Sequence, residues 1–171
     1  MIVAFAGLPA TGKSTLANAL GQALPAPVLN KDLVRERLFP AGWLDYSAEQ
    51  DDFVVGVLLQ TARFYLSSGR AAAVILDGRT FRKASLRKEL TDAARAMGQP
   101  LRWIECVCAE HEIRRRLEGD AGRHPAGNRD FDLYERVRRE AEPMTEPRLV
   151  LDTTVAAVSE QVEEIRQFLR R

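Results

Sequence analysis

The sequence predicts an α/β fold, a five-stranded parallel sheet with helices on both faces, and three observations carry that expectation. Short continuous apolar runs, of the kind that suits strands buried on both faces, alternate with segments of helical spacing. The helical segments are long enough to act as the crossovers that parallel neighbours require. No linker divides the chain, so residues 1–171 read as one domain.

Ile2 to Ala6 is the first apolar run, and it stops at Gly7. A helix follows from Lys13 to about Leu24, with Leu16, Ala19, Leu20 and Ala23 on one face and Pro25 ending it. Val28 to Asn30 reads as the second strand and Asp32 to Phe39 as a helix stopped by Pro40. From about Ala48 to Ser67, Phe53, Val54, Val57, Leu58, Phe64 and Tyr65 recur with helical spacing, and Gly69 is a suitable exit. The third strand, Ala72 to Leu76, runs into Asp77. Ala84 to Met97 is expected to be helical, Arg102 to Val107 to be the fourth strand, and Glu110 to Leu117 to be a strongly basic helix.

Gly119 to Asp130 holds three glycines, a proline and mixed charges, the composition of a mobile loop. A helix at Phe131 to Glu142, a fifth strand at Leu149 to Leu151 and a last helix at Val155 to Leu169 complete the domain.

Composition bounds the function. With 46% hydrophobic and 29% charged residues, the chain matches a soluble globular enzyme and not a disordered one. A net charge of +1 lacks the global basic footprint of a dedicated nucleic-acid binder. The run before Gly7 is too short for a signal peptide or a membrane span, so a cytoplasmic protein is expected. Cys106 and Cys108 are too close for an unstrained bridge and too few for a zinc site, and they read as small packing residues. His111 and His124 have no metal-ligand partners at recognisable spacing.

The most specific signal is G-x-x-x-x-G-K-[ST], satisfied by Gly7, Leu8, Pro9, Ala10, Thr11, Gly12, Lys13 and Ser14, with Thr15 following. It lies between a buried strand and a helix, the context the motif needs. Glycines let backbone N–H groups turn inward around phosphate oxygens, and the helix N-terminus adds its positive end. This P-loop implies ATP and Mg²⁺, with Lys13 reaching the β- and γ-phosphates and Ser14 ligating the metal.

Asp32 follows the second strand, and ligands of open α/β sheets bind beyond the carboxyl ends of the strands. A carboxylate there suits the general base that an alcohol acceptor needs. Arg35, one turn later, is placed to position the acceptor or steady negative charge. Asp77 ends an apolar strand and suits a partner of Mg²⁺ near the phosphates. Arg79, Arg82, Lys83, Arg87 and Lys88 precede the first acid, Glu89, and form a candidate acceptor-side patch together with Thr80. Arg114, Arg115 and Arg116 lead towards Arg123 and Arg129, an arrangement suited to a lid whose arginines meet the transferred phosphoryl group. Consecutive helical positions diverge by about 100°, so one or two of the three face the phosphates.

With these segments the chain resembles the small P-loop kinases related to the kinase domain of polynucleotide kinase, to chloramphenicol phosphotransferase and to zeta toxins. Gly7 to Thr15 looks like the group's phosphate loop, and Asn30 to Arg35 is similar to the segment holding its catalytic aspartate and a following arginine. Val74 to Asp77 resembles its second acidic strand, while Ile113 to Leu117 with Arg123 looks like its lid. The resemblance implies a three-layer α/β/α fold with strand order 2-3-1-4-5, a helical lid over about residues 110–130, and Arg116 or Arg123 as the phosphate-facing lid residue. It also implies that Asp152 and Thr153 lie near the adenine. Arg79 departs from the short polar residue usual in the group around this position.

The implied reaction is phosphoryl transfer from ATP to a hydroxyl, with a small molecule as first acceptor class and a 5′-hydroxyl of RNA or DNA as the second. A nucleoside monophosphate kinase leaves Asp32 unexplained, because its acceptor is already ionised. A switch module that hydrolyses ATP without an acceptor is the reading from a different class.

Overall fold

A computed structural model of the chain describes residues 1–119 and 130–171; Arg123, His124 and Arg129 lie outside the described residues. Strands β1 (Ile2–Ala6), β2 (Val28–Asn30), β3 (Val74–Asp77), β4 (Leu101–Val107) and β5 (Arg148–Asp152) form one sheet in the order β2-β3-β1-β4-β5. Every pairing is parallel, with Val3 opposite Ile75 on one side and Arg102 on the other. The expected fold class and strand order are therefore observed.

All five residues of β1 are buried, as a central strand covered on both faces requires. On one face, α1 (Lys13–Ala23) and α7 (Val158–Leu169) pack Leu16, Leu20, Val162 and Ile165 against Val3, Phe5, Ile75 and Ile104. On the other, α3 (Ala48–Ser67) and α4 (Ala84–Ala96) bring Leu58, Ala62, Leu90 and Ala94 onto Ile2, Ala4, Val74 and Trp103. A smaller cluster joins α5 (Glu110–Gly119) and α6 (Phe131–Arg139) to the loop after β1, through Ile113, Leu117, Tyr134 and Ala10.

Three departures from the sequence reading have physical causes. A short 3₁₀ turn, Ala41–Trp43, follows α2 (Lys31–Leu38), held by Gln50 Nε2 donating to the Trp43 carbonyl at 2.9 Å. Helix α6 stops at Arg139, not Glu142, because Glu142 is used elsewhere: its N–H donates to the Arg82 carbonyl at 2.8 Å and its carboxylate accepts from Ala84 N–H at the start of α4. Helix α7 begins at Val158, since Asp152 first folds a turn by accepting from Thr154 N–H at 2.9 Å.

Arg87 is 2% exposed and acts as an internal clamp. It donates to the Glu146 carboxylate at 2.8 Å and to the carbonyls of Phe81 (3.0 Å) and Pro143 (2.9 Å), tying α4 to the segment before β5. Arg87→Ala is expected to destabilise the domain by about 3–5 kcal/mol and lower its thermal midpoint by roughly 10 °C. Thermal unfolding checks this, and an unchanged midpoint contradicts it.

Candidate active site

The loop from Gly7 to Gly12 leaves β1 and turns back into α1. Gly7 (φ 136°), Ala10 (φ 62°) and Gly12 (φ 81°) all adopt the left-handed region, which bends the backbone into a cradle. At Gly7 a side chain is excluded: an added Cβ would stand 2.3 Å from the Cys106 carbonyl oxygen. Thr11 Oγ1 and Lys13 Nζ both donate to the Leu8 carbonyl, at 2.8 and 2.7 Å. Lys13 is buried and crosses the loop from within.

Beside the loop lies a cavity of about 580 Å³ lined by Gly12, Lys13, Ser14, Thr15, Arg116 and Thr153, among others. That volume suits a nucleotide. Arg116 closes one wall. Its guanidinium donates to the carbonyls of Ala10 (3.2 Å) and Thr153 (2.6 Å), to Thr153 Oγ1 (3.1 Å) and to Glu112 (2.7 Å). Hydrogen bonds from Arg115 and Arg116 hold the Glu112 carboxyl down to about 2. Arg114 instead pairs with Glu110 and stacks over Phe131, and Arg115 pairs with Glu112 on the surface. Of the three consecutive arginines, Arg116 is the one docked on the loop.

Thr153 is buried, with its hydroxyl 3.0 Å from the Thr11 carbonyl, so the end of β5 also reaches the loop. Asp152 faces away into its own turn, its carboxyl held below the usual range by hydrogen bonds from Thr154.

On the opposite side, the segment after β3 links the loop to α2. Gly7 N–H donates to the Thr80 carbonyl at 3.2 Å, and Gly78 (φ 89°) packs so closely on α2 that an added Cβ would meet Lys31 N at 2.8 Å and Asp32 N at 3.2 Å. The start of α2, with Asp32 as its second residue, is thus linked to the phosphate loop through the Gly78 to Thr80 segment. Asn30 caps that helix through Leu33 N–H and also donates to Asp77 Oδ2 at 2.5 Å. Asp77 is 2% exposed, and among the described residues its Oδ1 has no hydrogen-bond partner. An orphaned buried carboxylate oxygen fits a metal ion or its water. Ser14 lines the cavity beside the loop, and it and Asp77 are the residues present that would hold Mg²⁺.

A family model described as an AAA domain matches residues 2–147. The chain belongs to the AAA domain family. Among solved structures it is similar to a candidate kinase from Chloroflexus aurantiacus, at 28% identity and TM-score 0.77, covering 97% of this chain and 96% of that one. It also resembles Mycobacterium tuberculosis APS kinase CysC, solved with AMPPNP and APS, at 21% identity, TM-score 0.73 and coverage of 99% and 97%. A gluconokinase from Sinorhizobium meliloti follows the same fold at 16% identity and TM-score 0.65, with coverage of 95% and 87%. Curated proteins yield no match. The fold of this AAA domain is that of the P-loop kinases.

Several polar residues of the AAA domain's site escape a sequence reading. Lys31 is buried and pairs with Asp51 at 2.8 Å. Burial, reinforced by repulsion from Arg35, Arg79 and Arg82 and opposed by Asp32, pushes Lys31 down to about 8. Gln161 of α7 lines the large cavity and donates to the Asp152 carbonyl at 2.8 Å. Asp51 and Gln161 lie outside every motif, and Lys31, within the Asn30 to Arg35 segment, carries no sequence sign of its burial.

Arg35 is 3% exposed, paired with Asp32 at 3.4 Å and with Asp51, and its guanidinium lies over the Tyr46 ring. Arg79 turns inward to Asp52 (2.9 Å) and Glu89 (3.4 Å). Arg82 pairs with Glu140 and Lys88 with Asp92. Together with Arg87, four cations of the basic cluster thus meet carboxylates of the domain itself. Thr80 and Arg82 line a second cavity, about 280 Å³, on the other side of Gly7 and Leu8. Cys106 is buried, which pushes its thiol up to about 12, and both cysteines are free. No described helix is long and apolar enough to cross a membrane.

For Arg116→Ala, the docked guanidinium is lost, and transfer is expected to fall about 100-fold or more. Steady-state turnover measures this, and a change under about threefold would remove Arg116 from the reaction.

Proposed function

We propose that this AAA domain is an ATP-dependent kinase that transfers the γ-phosphoryl group to a hydroxyl of a small molecule. The observation that supports the reading is the path from the loop to α2: Gly7 N–H bonds the Thr80 carbonyl, and Gly78 packs on the backbone of Lys31 and Asp32, the carboxylate we take as the base. In this reading the acceptor oxygen attacks the γ-phosphorus while its proton passes to Asp32, and the bond to the bridging oxygen breaks with its electrons leaving on ADP. Lys13 and Arg116 offset the charge on the phosphoryl oxygens. Mg²⁺ held near Ser14 and Asp77 would neutralise charge on the β- and γ-phosphates.

Kinases acting on APS and gluconate among the neighbours support transfer to small molecules. The engaged cations of the basic cluster support the same choice over a polynucleotide, whose backbone needs several available cationic contacts. The test is ADP release and acceptor mass gain across a panel of sugars, polyols, hydroxy acids and 5′-hydroxyl oligonucleotides. Phosphorylation of a small alcohol supports the proposal. Selective phosphorylation of oligonucleotides moves the acceptor class, and ATP hydrolysis without any phosphorylated alcohol removes the kinase reading.

A further inference from the structure

Asp51 lies in the first turn of α3, away from every motif, yet it contacts both cations that flank Asp32. Lys31 and Arg35 are almost fully enclosed, with side-chain exposures of 9% and 4%, whereas Asp32 (20%) and Asp51 (29%) are more exposed. Two carboxylates thus share two buried cations, and they share them unequally. Lys31 Nζ is 2.8 Å from Asp51 and 3.8 Å from Asp32. Arg35 divides itself, with Nη1 towards Asp32 at 3.4 Å and Nη2 on Asp51. Both contacts with Asp32 fall on its Oδ1.

A buried cation without a counter-ion is strongly unfavourable, so each closes on whichever carboxylate is in reach. With Asp51 in place, the nearer counter-charge for Lys31 belongs to α3. Asp32 then meets the pair through one oxygen at long range, and among the described residues Oδ2 carries no ion-pair contact. A base needs such an oxygen to receive the acceptor's proton.

We propose that Asp51 is a positioning residue for the reaction: by holding Lys31 and Arg35 it keeps them from capturing Asp32 and leaves Asp32 Oδ2 for the acceptor. This rests on Asp32 being the base. Among the other charged neighbours, Arg79 and Arg82 are cations that repel Lys31, Asp77 and Glu89 line the same small cavity as Lys31 but are engaged by Asn30 and Arg79, and Asp45, within the field of Arg35, accepts from Ser47 N–H. The Tyr46 ring supports the Arg35 guanidinium from 5.2 Å without neutralising it. Removing the Asp51 charge leaves Asp32 as the carboxylate on which both cations converge.

The first test is a crystal structure of Asp51→Asn, which needs no acceptor. The expected result is Lys31 Nζ drawn to about 3 Å from Asp32. Asp32 contacts unchanged from those of the parent would overturn the proposal. The second uses an acceptor identified in the panel above. Asp51→Asn should lower kcat by about 100-fold with KM changed by less than about threefold, because the base is blocked and the acceptor pocket is not. Asp51→Glu should restore most of the loss, and adding Lys31→Met to Asp51→Asn should restore part, as the capturing cation is gone.

A purely structural ion pair predicts the opposite for the double variant, a loss no smaller than that of Asp51→Asn. Should Asp51→Asn not fold, Asp51→Glu and the charge-balanced double variant decide: kcat within about tenfold of wild type in both supports the proposal. A loss in both as large as that of Asp32→Asn overturns it. A panel in which no alcohol is phosphorylated counts against the kinase reading, while the crystal structure still decides the role of Asp51.

Discussion

Lys13→Ala is expected to reduce phosphoryl transfer by about 100- to 1,000-fold at saturating ATP, whatever the acceptor. Lys13 is the buried cation of the phosphate loop, 7% exposed, and it reaches the Leu8 carbonyl across the cradle. A charge already stripped of water acts on phosphate oxygens with little screening, and holding it in place costs nothing further during the reaction. Alanine favours the first helical turn, so α1 should persist and the loss should be one of charge. Circular dichroism and thermal unfolding would separate that from misfolding. Turnover within about threefold of wild type would overturn the loop's assignment.

Asp32→Asn is expected to lower kcat by about 100- to 10,000-fold while leaving ATP affinity within about threefold. The amide keeps the shape and loses both the proton acceptor and the negative charge. Because Lys31 and Arg35 keep Asp51 as counter-ion, the fold should tolerate the change. Background ATP hydrolysis separates two outcomes. If hydrolysis persists and transfer disappears, Asp32 serves the acceptor; if both persist, Asp32 is a helix-starting carboxylate only.

The fold was readable because its signals are local. Ile2 to Ala6, Val28 to Leu29 and Val74 to Leu76 are apolar runs that stop at a glycine or a polar residue, and the periodic segments between them are long enough to be crossovers. Gly7 to Ser14 carries its chemistry within eight consecutive residues, so pattern and context suffice.

What stayed hidden depends on distant partners. Asp51 meets Lys31 from 20 residues away, and Arg79 finds Asp52 at a separation of 27, so no window shows either pairing. Arg87 reads as part of an exposed basic cluster, yet its counter-charge, Glu146, comes from 59 residues downstream and lets it sit in the interior. Sequence displays charge without displaying what neutralises it. The early end of α6 has the same origin, since Glu142 is drawn off to cap a helix that begins 58 residues before it. The resemblance pointed to Arg116, but composition and spacing did not separate it from Arg114 and Arg115; the docked α5 does, placing its guanidinium on Ala10 and Thr153.

The central claim is that the loop and Asp32 together make a hydroxyl kinase and not a hydrolase. The most direct measurement is ³¹P NMR of MgATP incubated with the protein and a cell extract of small metabolites. A new phosphate-ester resonance growing in step with ADP, and absent with Asp32→Asn, is the predicted result. Inorganic phosphate as the sole product accompanying ADP would contradict it.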